Sequence, residues 1–214
     1  MQEQSIVDTR TRVILAVGRI GAGKNVLGDL LVEEFGYIPV AYADTLKEIA
    51  ARMGGFPVTW CYTRFGKEQR VPVAPEHTVG TFLQQLGTNV GRLISPNMWV
   101  RHAIERIKTF PSGSKIVITD CRFLNEVDVM RQAFPLTSIV YMDRRAEELE
   151  GSRDPNHPSE LGVDDIVSAY DGGDQFYHVP NEYLTLDDTL QFMRTVVRAF
   201  DVQCDYHCAA GARR

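Results

Sequence analysis

Val13-Ile14-Leu15-Ala16-Val17 runs directly into Gly18-Arg19-Ile20-Gly21-Ala22-Gly23-Lys24-Asn25, and this junction sets the fold. The first five residues form a continuous apolar run of the kind buried on both faces in a parallel sheet. The next seven fit G-x-x-x-x-G-K, and Val26, Leu27, Leu30, Leu31 and Phe35 then recur at helical spacing until Gly36. A strand, a glycine-rich loop and a helix in that order make a phosphate-binding loop. Backbone N–H groups and the helix N-terminus converge on phosphate oxygens, and Lys24 adds a point charge for the β- and γ-phosphates of a nucleoside triphosphate. Gly18, Arg19, Ile20, Gly21, Ala22, Gly23, Lys24 and Asn25 are therefore candidate nucleotide-binding residues.

The flanking sequence alternates short β-rich runs with helical patterns, which predicts an α/β three-layer fold with a parallel sheet between helices. Further strands are expected at Tyr37 to Ala41, Lys115 to Thr119, Ser138 to Met142 and Phe176 to Val179. Helices are expected at Thr45 to Met53, from Val79 to Val90, from Trp99 to Ile107, at Val127 to Phe134, and from the Thr185-Leu186-Asp187-Asp188 capping box to Phe200. Residues 54–76 lose periodicity among Gly, Pro, aromatic and basic residues and read as a mobile functional loop on the acceptor side. Residues 143–160 read as a lid, and 201–214 as a fraying tail.

The 214 residues are 44% apolar and 24% charged, enough to bury the core of one domain. With 23 Lys plus Arg against 28 Asp plus Glu, the net charge of −5 argues against wholesale coating of nucleic acid, although a local basic site remains open. No apolar run approaches the roughly 20 residues that cross a bilayer, so the expectation is a soluble, cytoplasmic protein with no membrane partner. Cys61, Cys121, Cys204 and Cys208 are sparse and irregular, as free thiols are in a reducing compartment. Cys204 and Cys208 flank His207, but a structural zinc site wants four ligands and no second pair is near.

A nucleotide loop leaves the reaction open. No Asn-Lys-x-Asp element for GTPase-type base recognition is present, and the chain is short for a motor or helicase. Isolated arginines suit a small-molecule kinase, in which positive side chains neutralise a transferring phosphoryl group. Asn25 replaces the hydroxyl residue that usually follows the lysine and is a poorer Mg²⁺ ligand. Asp120, at the end of a buried strand, is placed for a metal-site carboxylate or for a helix cap.

Several segments together resemble the bacteriophage deoxynucleoside monophosphate kinase family, within the P-loop nucleoside monophosphate kinase group. They are the loop through Lys24, Ala43-Asp44-Thr45-Leu46-Lys47, Leu83-Gln84-Gln85-Leu86-Gly87-Thr88 with Arg92 and Trp99, Asp120-Cys121-Arg122-Phe123 with Glu126, and His157-Pro158-Ser159-Glu160. The resemblance spans most of residues 13–199. It implies γ-phosphoryl transfer from ATP, with Mg²⁺, to a deoxynucleotide acceptor.

On that resemblance Lys24, Arg122, Asp120 and Arg92 are the candidate catalytic set, with Asn25 and Asp120 toward the metal. Arg92 and Arg122 would clamp phosphate, since Arg gives bidentate contacts, though a solvated arginine is the alternative. Asp44 and Lys47 fall where an acceptor-binding helix begins, or form a cap and a surface lysine. Arg144 and Arg145 follow the fourth strand and would belong to a lid over ATP, or simply charge a loop. Glu126 would orient Arg122 or the acceptor sugar, or stand exposed on its helix. His157 and Glu160 would contact the acceptor or brace the lid. Trp99 reads as core, with stacking on a base as the functional alternative.

Arg64 lies in Trp60-Cys61-Tyr62-Thr63-Arg64-Phe65-Gly66-Lys67-Glu68-Gln69-Arg70, where aromatic and basic residues interleave. That pattern suits an acceptor lid or a surface for stacking on DNA bases. Three functions follow: a free deoxynucleoside monophosphate kinase, a kinase of 5-hydroxymethyluracil within phage DNA acting on an extruded base, and a non-catalytic nucleotide-binding regulator. The partner is a deoxynucleotide, free or in DNA, the compartment for a phage product is the host cytoplasm, and a homodimer is left open.

Overall fold

A computed structural model describes residues 8–143, 158–180 and 186–211, with the side chains of 158–160, 186 and 207–211 outside the description. In chain order the elements begin β1 (Arg12–Val17), α1 (Lys24–Phe35), β2 (Ile38–Pro39) and α2 (Asp44–Gly54). A 3₁₀ turn (Val58–Tyr62), α3 (Arg64–Glu68), β3 (Arg70–Val71), β4 (Ala74–Thr78), α4 (Val79–Gln84), a π-helical stretch (Gln85–Gly91), α5 (Arg92–Ile94) and α6 (Met98–Ile107) follow. The chain continues through β5 (Lys115–Ile118), α7 (Leu124–Ala133), β6 (Leu136–Met142), α8 (Pro158–Tyr170), β7 (Phe176–Val179) and α9 (Leu186–Gly211). Two compact units emerge, one of residues 1–40 with 106–214 and one of residues 41–105.

The first unit carries a five-stranded, wholly parallel sheet in the order β2-β5-β1-β6-β7. Ile14 pairs with Val117 on one side and Ser138 on the other, so β1 is central. Successive side chains of β1 face opposite ways, yet Val13 through Val17 are all fully buried, which explains the unbroken apolar run. Ile14 and Ala16 join Leu27, Leu30 and Leu31 of α1 and Met193, Val197 and Phe200 of α9 in one core cluster. α7 packs on α8 and against β6, with Val127, Met130, Val163 and Ile166 fully buried.

The expected strands and helices of this unit are present with adjusted ends. The helix after the loop stops at Gly36, which takes φ 69° and donates its N–H to the carbonyl of Leu31. β2 shrinks to two residues because it is an edge strand and Pro39 has no N–H to donate. α8 was not anticipated. The expected fraying tail from 201 is instead helical as far as Gly211. Asp201 accepts hydrogen bonds from Arg12 Nη1 (3.1 Å), Tyr37 Oη (3.1 Å) and Lys115 Nζ (2.7 Å), and Cys204 is 1% exposed, so packing carries the helix on. Arg12 also pairs with Asp205. No helix among the described residues is long and apolar enough to cross a membrane.

The second unit corrects the reading of residues 54–76 as a loop. The segment folds into the 3₁₀ turn, α3 and the antiparallel β3–β4 pair. Phe56, Cys61 and Val71 from it join Ala50, Ala51 and Val79 in a second core. Phe56 stacks on Trp60 with ring centroids 6.1 Å apart, and its edge meets Phe82. Four short elements in 23 positions give no sustained period, which is why apolar spacing is silent there. α4 starts at a capping box in which Thr78 and Thr81 exchange hydrogen bonds.

Candidate active site

The loop between β1 and α1 lies at the carboxyl end of the central strand. The neighbours β5 and β6 continue to opposite edges of the sheet, so this is the topological switch point where α/β proteins bind ligands. Gly18 has φ 153°, and a Cβ there would stand 2.7 Å from the carbonyl oxygen of Met142 at the end of β6, so no other residue fits. Gly23 has φ 92° and caps α1, whose first turn holds no acidic residue; among the described residues no side chain caps this end. The positive end of the helix dipole thus faces the loop with nothing negative on its first turn to oppose an anion.

Lys24 is 7% exposed, and its ammonium donates to the carbonyl oxygens of Gly18 (2.6 Å) and Arg19 (2.7 Å). Arg122 Nη1 donates to the same Gly18 oxygen at 3.1 Å. Two cations from distant parts of the chain therefore meet over the loop. Asn25 is exposed on the first turn of α1, and Asp120 is half-buried just after β5. Among the described residues no group of three or more His, Cys, Asp or Glu is placed to hold a metal ion.

Arg122 is held by its own backbone. Glu126 is 3% exposed, and its Oε2 accepts the N–H groups of Arg122 (2.8 Å) and Phe123 (3.1 Å) at the start of α7. The alternative of an exposed helical carboxylate is thereby corrected: the carboxylate turns back to cap its helix, as capping boxes do. Cys121 between Asp120 and Arg122 is fully buried, and burial first, then the Glu126 and Asp120 charges, push its thiol well above the ordinary range. A thiol kept protonated is no nucleophile here.

Arg19 extends from the loop to α8, where its Nη2 lies 2.9 and 2.8 Å from the two carboxylate oxygens of Asp164. Beside it, sequence reading missed a polar cluster at the carboxyl ends of β6 and β7. Tyr141 Oη donates to Asp143 Oδ1 (3.1 Å), and His178 Nε2 lies 3.1 Å from Asp143 Oδ2. Burial, followed by the Asp143 carboxylate, pushes the Tyr141 hydroxyl up to about 12. Their position at strand ends is the only sequence signal they carry.

The second unit holds the remaining candidates that can be placed. Lys47 Nζ lies 3.6 Å from Asp44 Oδ1 at the start of α2 and 4.2 Å from the centre of the Tyr62 ring. Asp44 also bonds the Tyr62 hydroxyl, which burial and then the Asp44 charge hold above its ordinary range. Arg92 Nη1 donates to the carbonyl of Pro96 at 3.3 Å. Trp99 is 9% exposed and its Nε1 donates to the Gly87 carbonyl at 3.0 Å, the packing role that its helical spacing predicts. Arg64 is a surface group, 82% exposed and 3.2 Å from Glu68 one turn on. Arg144, Arg145 and His157 lie outside the described residues, as does most of the segment read as a lid; Glu160 belongs to the first turn of α8, with its side chain outside the description.

A sugar kinase from Janibacter sp. HTCC2649 superposes with a TM-score of 0.50 at 18% identity, covering 88% of this chain and 95% of that one. The fold is that of the P-loop kinases. A gluconokinase from Sinorhizobium meliloti 1021 (TM-score 0.49, 15% identity, covering 91% and 97%) and a shikimate kinase from Aquifex aeolicus (0.47, 11%, covering 87% and 96%) are also similar. No protein-family model matches the chain. In sequence it is 29% identical over 150 residues to the uncharacterized protein ORF77 of Ictalurid herpesvirus 1, across 69% of this chain and 57% of that protein. The chain thus matches little more than half the length of this viral relative. The narrower likeness to phage deoxynucleoside monophosphate kinases rests on the sequence motifs alone.

Proposed function

We propose that the chain is an ATP-dependent phosphotransferase that moves the γ-phosphate to a deoxynucleotide acceptor, converting a deoxynucleoside monophosphate to its diphosphate. The convergence of Lys24 and Arg122 on the Gly18 carbonyl carries this reading, because simple nucleotide binding needs no second cation over the loop. The Gly18 to Gly23 backbone would cradle the donor phosphates. Lys24 would turn from the loop carbonyls to the β- and γ-phosphates, and Arg122 would take up charge spreading over the transferring group.

The residues present fit Mg²⁺ held chiefly through the nucleotide: Asn25 and Asp120 are two oxygen donors, too few for a protein-only site. When bound, the ion neutralises charge on the β- and γ-phosphates. A phosphate acceptor needs no proton removed: an acceptor oxygen bonds the phosphorus as the bond to the departing ADP oxygen breaks. Asp44, Lys47, Arg92, His157 and Glu160 are the proposed acceptor contacts, and Arg144 and Arg145 are proposed to close over ATP. The cytoplasm, where ATP is available, is the proposed compartment.

A second reading, phosphorylation of the hydroxymethyl group of 5-hydroxymethyluracil in DNA, draws on Tyr62 and Phe65. They are 57% and 74% exposed beside Arg64 and Lys67, as a surface for stacking on bases would be. Supplying γ-labelled ATP and Mg²⁺ with free deoxynucleoside monophosphates and, in parallel, with DNA containing that base separates the two. Label in a deoxynucleoside diphosphate supports the first reading, and label in DNA alone replaces it with the second.

A further inference from the structure

Helix α8 touches the phosphate site at two points that no motif announces. Gly162 is buried against the Arg122 peptide, so closely that a Cβ at 162 would stand 2.3 Å from the Arg122 carbonyl oxygen and 3.3 Å from the Phe123 ring. Two residues on, Asp164 receives Arg19 of the loop at 2.8 and 2.9 Å. The same short stretch of α8 therefore braces both the arginine that reaches Gly18 and the loop that contains Gly18.

Lys24 donates to the loop carbonyls of Gly18 and Arg19, and each has a second donor: Arg122 Nη1 for Gly18 and the Ala22 N–H for Arg19. A triphosphate in the loop would draw that ammonium toward its own oxygens, and each carbonyl would lose one of its two donors just as the loop must keep its shape. Arg19 and Arg122 are the two further cations whose contacts hold this stretch, and α8 fixes one by its charge and the other by its backbone. We propose that α8 is the strut of the donor site, with Asp164 and Gly162 as positioning residues: Asp164 keeps the loop shaped for ATP through Arg19, and Gly162 sets the height of Arg122 over it. This rests on the phosphotransferase reading above, and it adds two residues outside every motif that led there.

The two contacts fail differently, and that difference is the test. ATP binding to the folded protein, followed by titration with a fluorescent ATP analogue, and steady-state transfer kinetics are measured on wild type, Asp164→Asn, Asp164→Glu and Gly162→Ala. Asp164→Asn removes a half-exposed ion pair and is expected to weaken ATP binding about threefold, with kcat moving less than that and Asp164→Glu restoring affinity. Gly162→Ala shifts the Arg122 peptide by a fraction of an ångström or more and is expected to lower kcat roughly tenfold with ATP affinity retained. Asp164→Asn that binds ATP as wild type does, or Asp164→Glu that is as weak as Asp164→Asn, overturns the strut while wild-type transfer stands. Should Gly162→Ala fail to fold, the Asp164 pair alone decides. Wild-type protein that binds no ATP overturns the phosphotransferase reading itself, and the strut with it.

Discussion

Lys24 and Arg122, 98 positions apart in the chain, donate to one acceptor, the carbonyl oxygen of Gly18. In the proposed reaction a phosphate oxygen would replace that carbonyl with little movement of backbone. Removing either should therefore have a distinct kinetic signature.

Lys24→Ala is expected to lower kcat/KM for phosphoryl transfer by at least about 100-fold, since in the proposed reaction it removes the charge that would meet the donor's β- and γ-phosphates. The rest of the loop and its helix remain, so circular dichroism should be that of wild type. Turnover like wild type in this variant would show that the loop does not hold the donor.

Arg122→Ala should depress kcat far more than it raises the KM for ATP, because in the proposed reaction the guanidinium would act on charge that develops in transfer. Arg122→Lys keeps the charge but not the planar fork and is expected to recover only part of the rate. Varying ATP at saturating acceptor reads both parameters.

Stability should depend on a separate cluster at the other end of the sheet. Asp201 takes three hydrogen bonds, from Arg12, Tyr37 and Lys115, and its side chain is 17% exposed. Asp201→Ala is expected to cost about 2–3 kcal/mol of unfolding free energy in urea titration, as loss of charged hydrogen bonds does. Since Asp201 lies away from the loop, transfer by the folded variant should persist below its unfolding transition.

The Tyr141 hydroxyl is raised from 10.0 to about 12 in the folded protein, by burial and then by Asp143. The native state therefore keeps a proton there that the unfolded chain loses at lower pH, so stability is present in full below pH 10 and is lost as pH rises toward 12. Tyr141→Phe should remove that part of the alkaline loss, seen as a flatter dependence of unfolding free energy on pH. Parallel curves for the two proteins over this window would contradict it.

The part of the fold that local sequence dictates was legible: β1, the loop and α1 follow from one apolar run and one motif, and the apolar runs at 115, 138 and 176 mark β5, β6 and β7 to within two residues. Residues 54–76 were not, because their core residues Phe56, Cys61 and Val71 sit on separate short elements that share no period. Within the site, Arg122 carries a motif, but the burial of Glu126 does not show in a helix that also bears Asp128 and Arg131. The Arg19–Asp164 pair and the approach of His178 to Asp143 are made by tertiary contact of separate elements, and no local pattern encodes them.

The most direct measurement follows ADP and labelled product together when the protein is mixed with γ-labelled ATP, Mg²⁺ and the deoxynucleoside monophosphates, with Lys24→Ala alongside. The account predicts labelled deoxynucleoside diphosphate formed one for one with ADP by wild type and not by the variant. Intact ATP, or label released only as inorganic phosphate with no acceptor labelled, would contradict it.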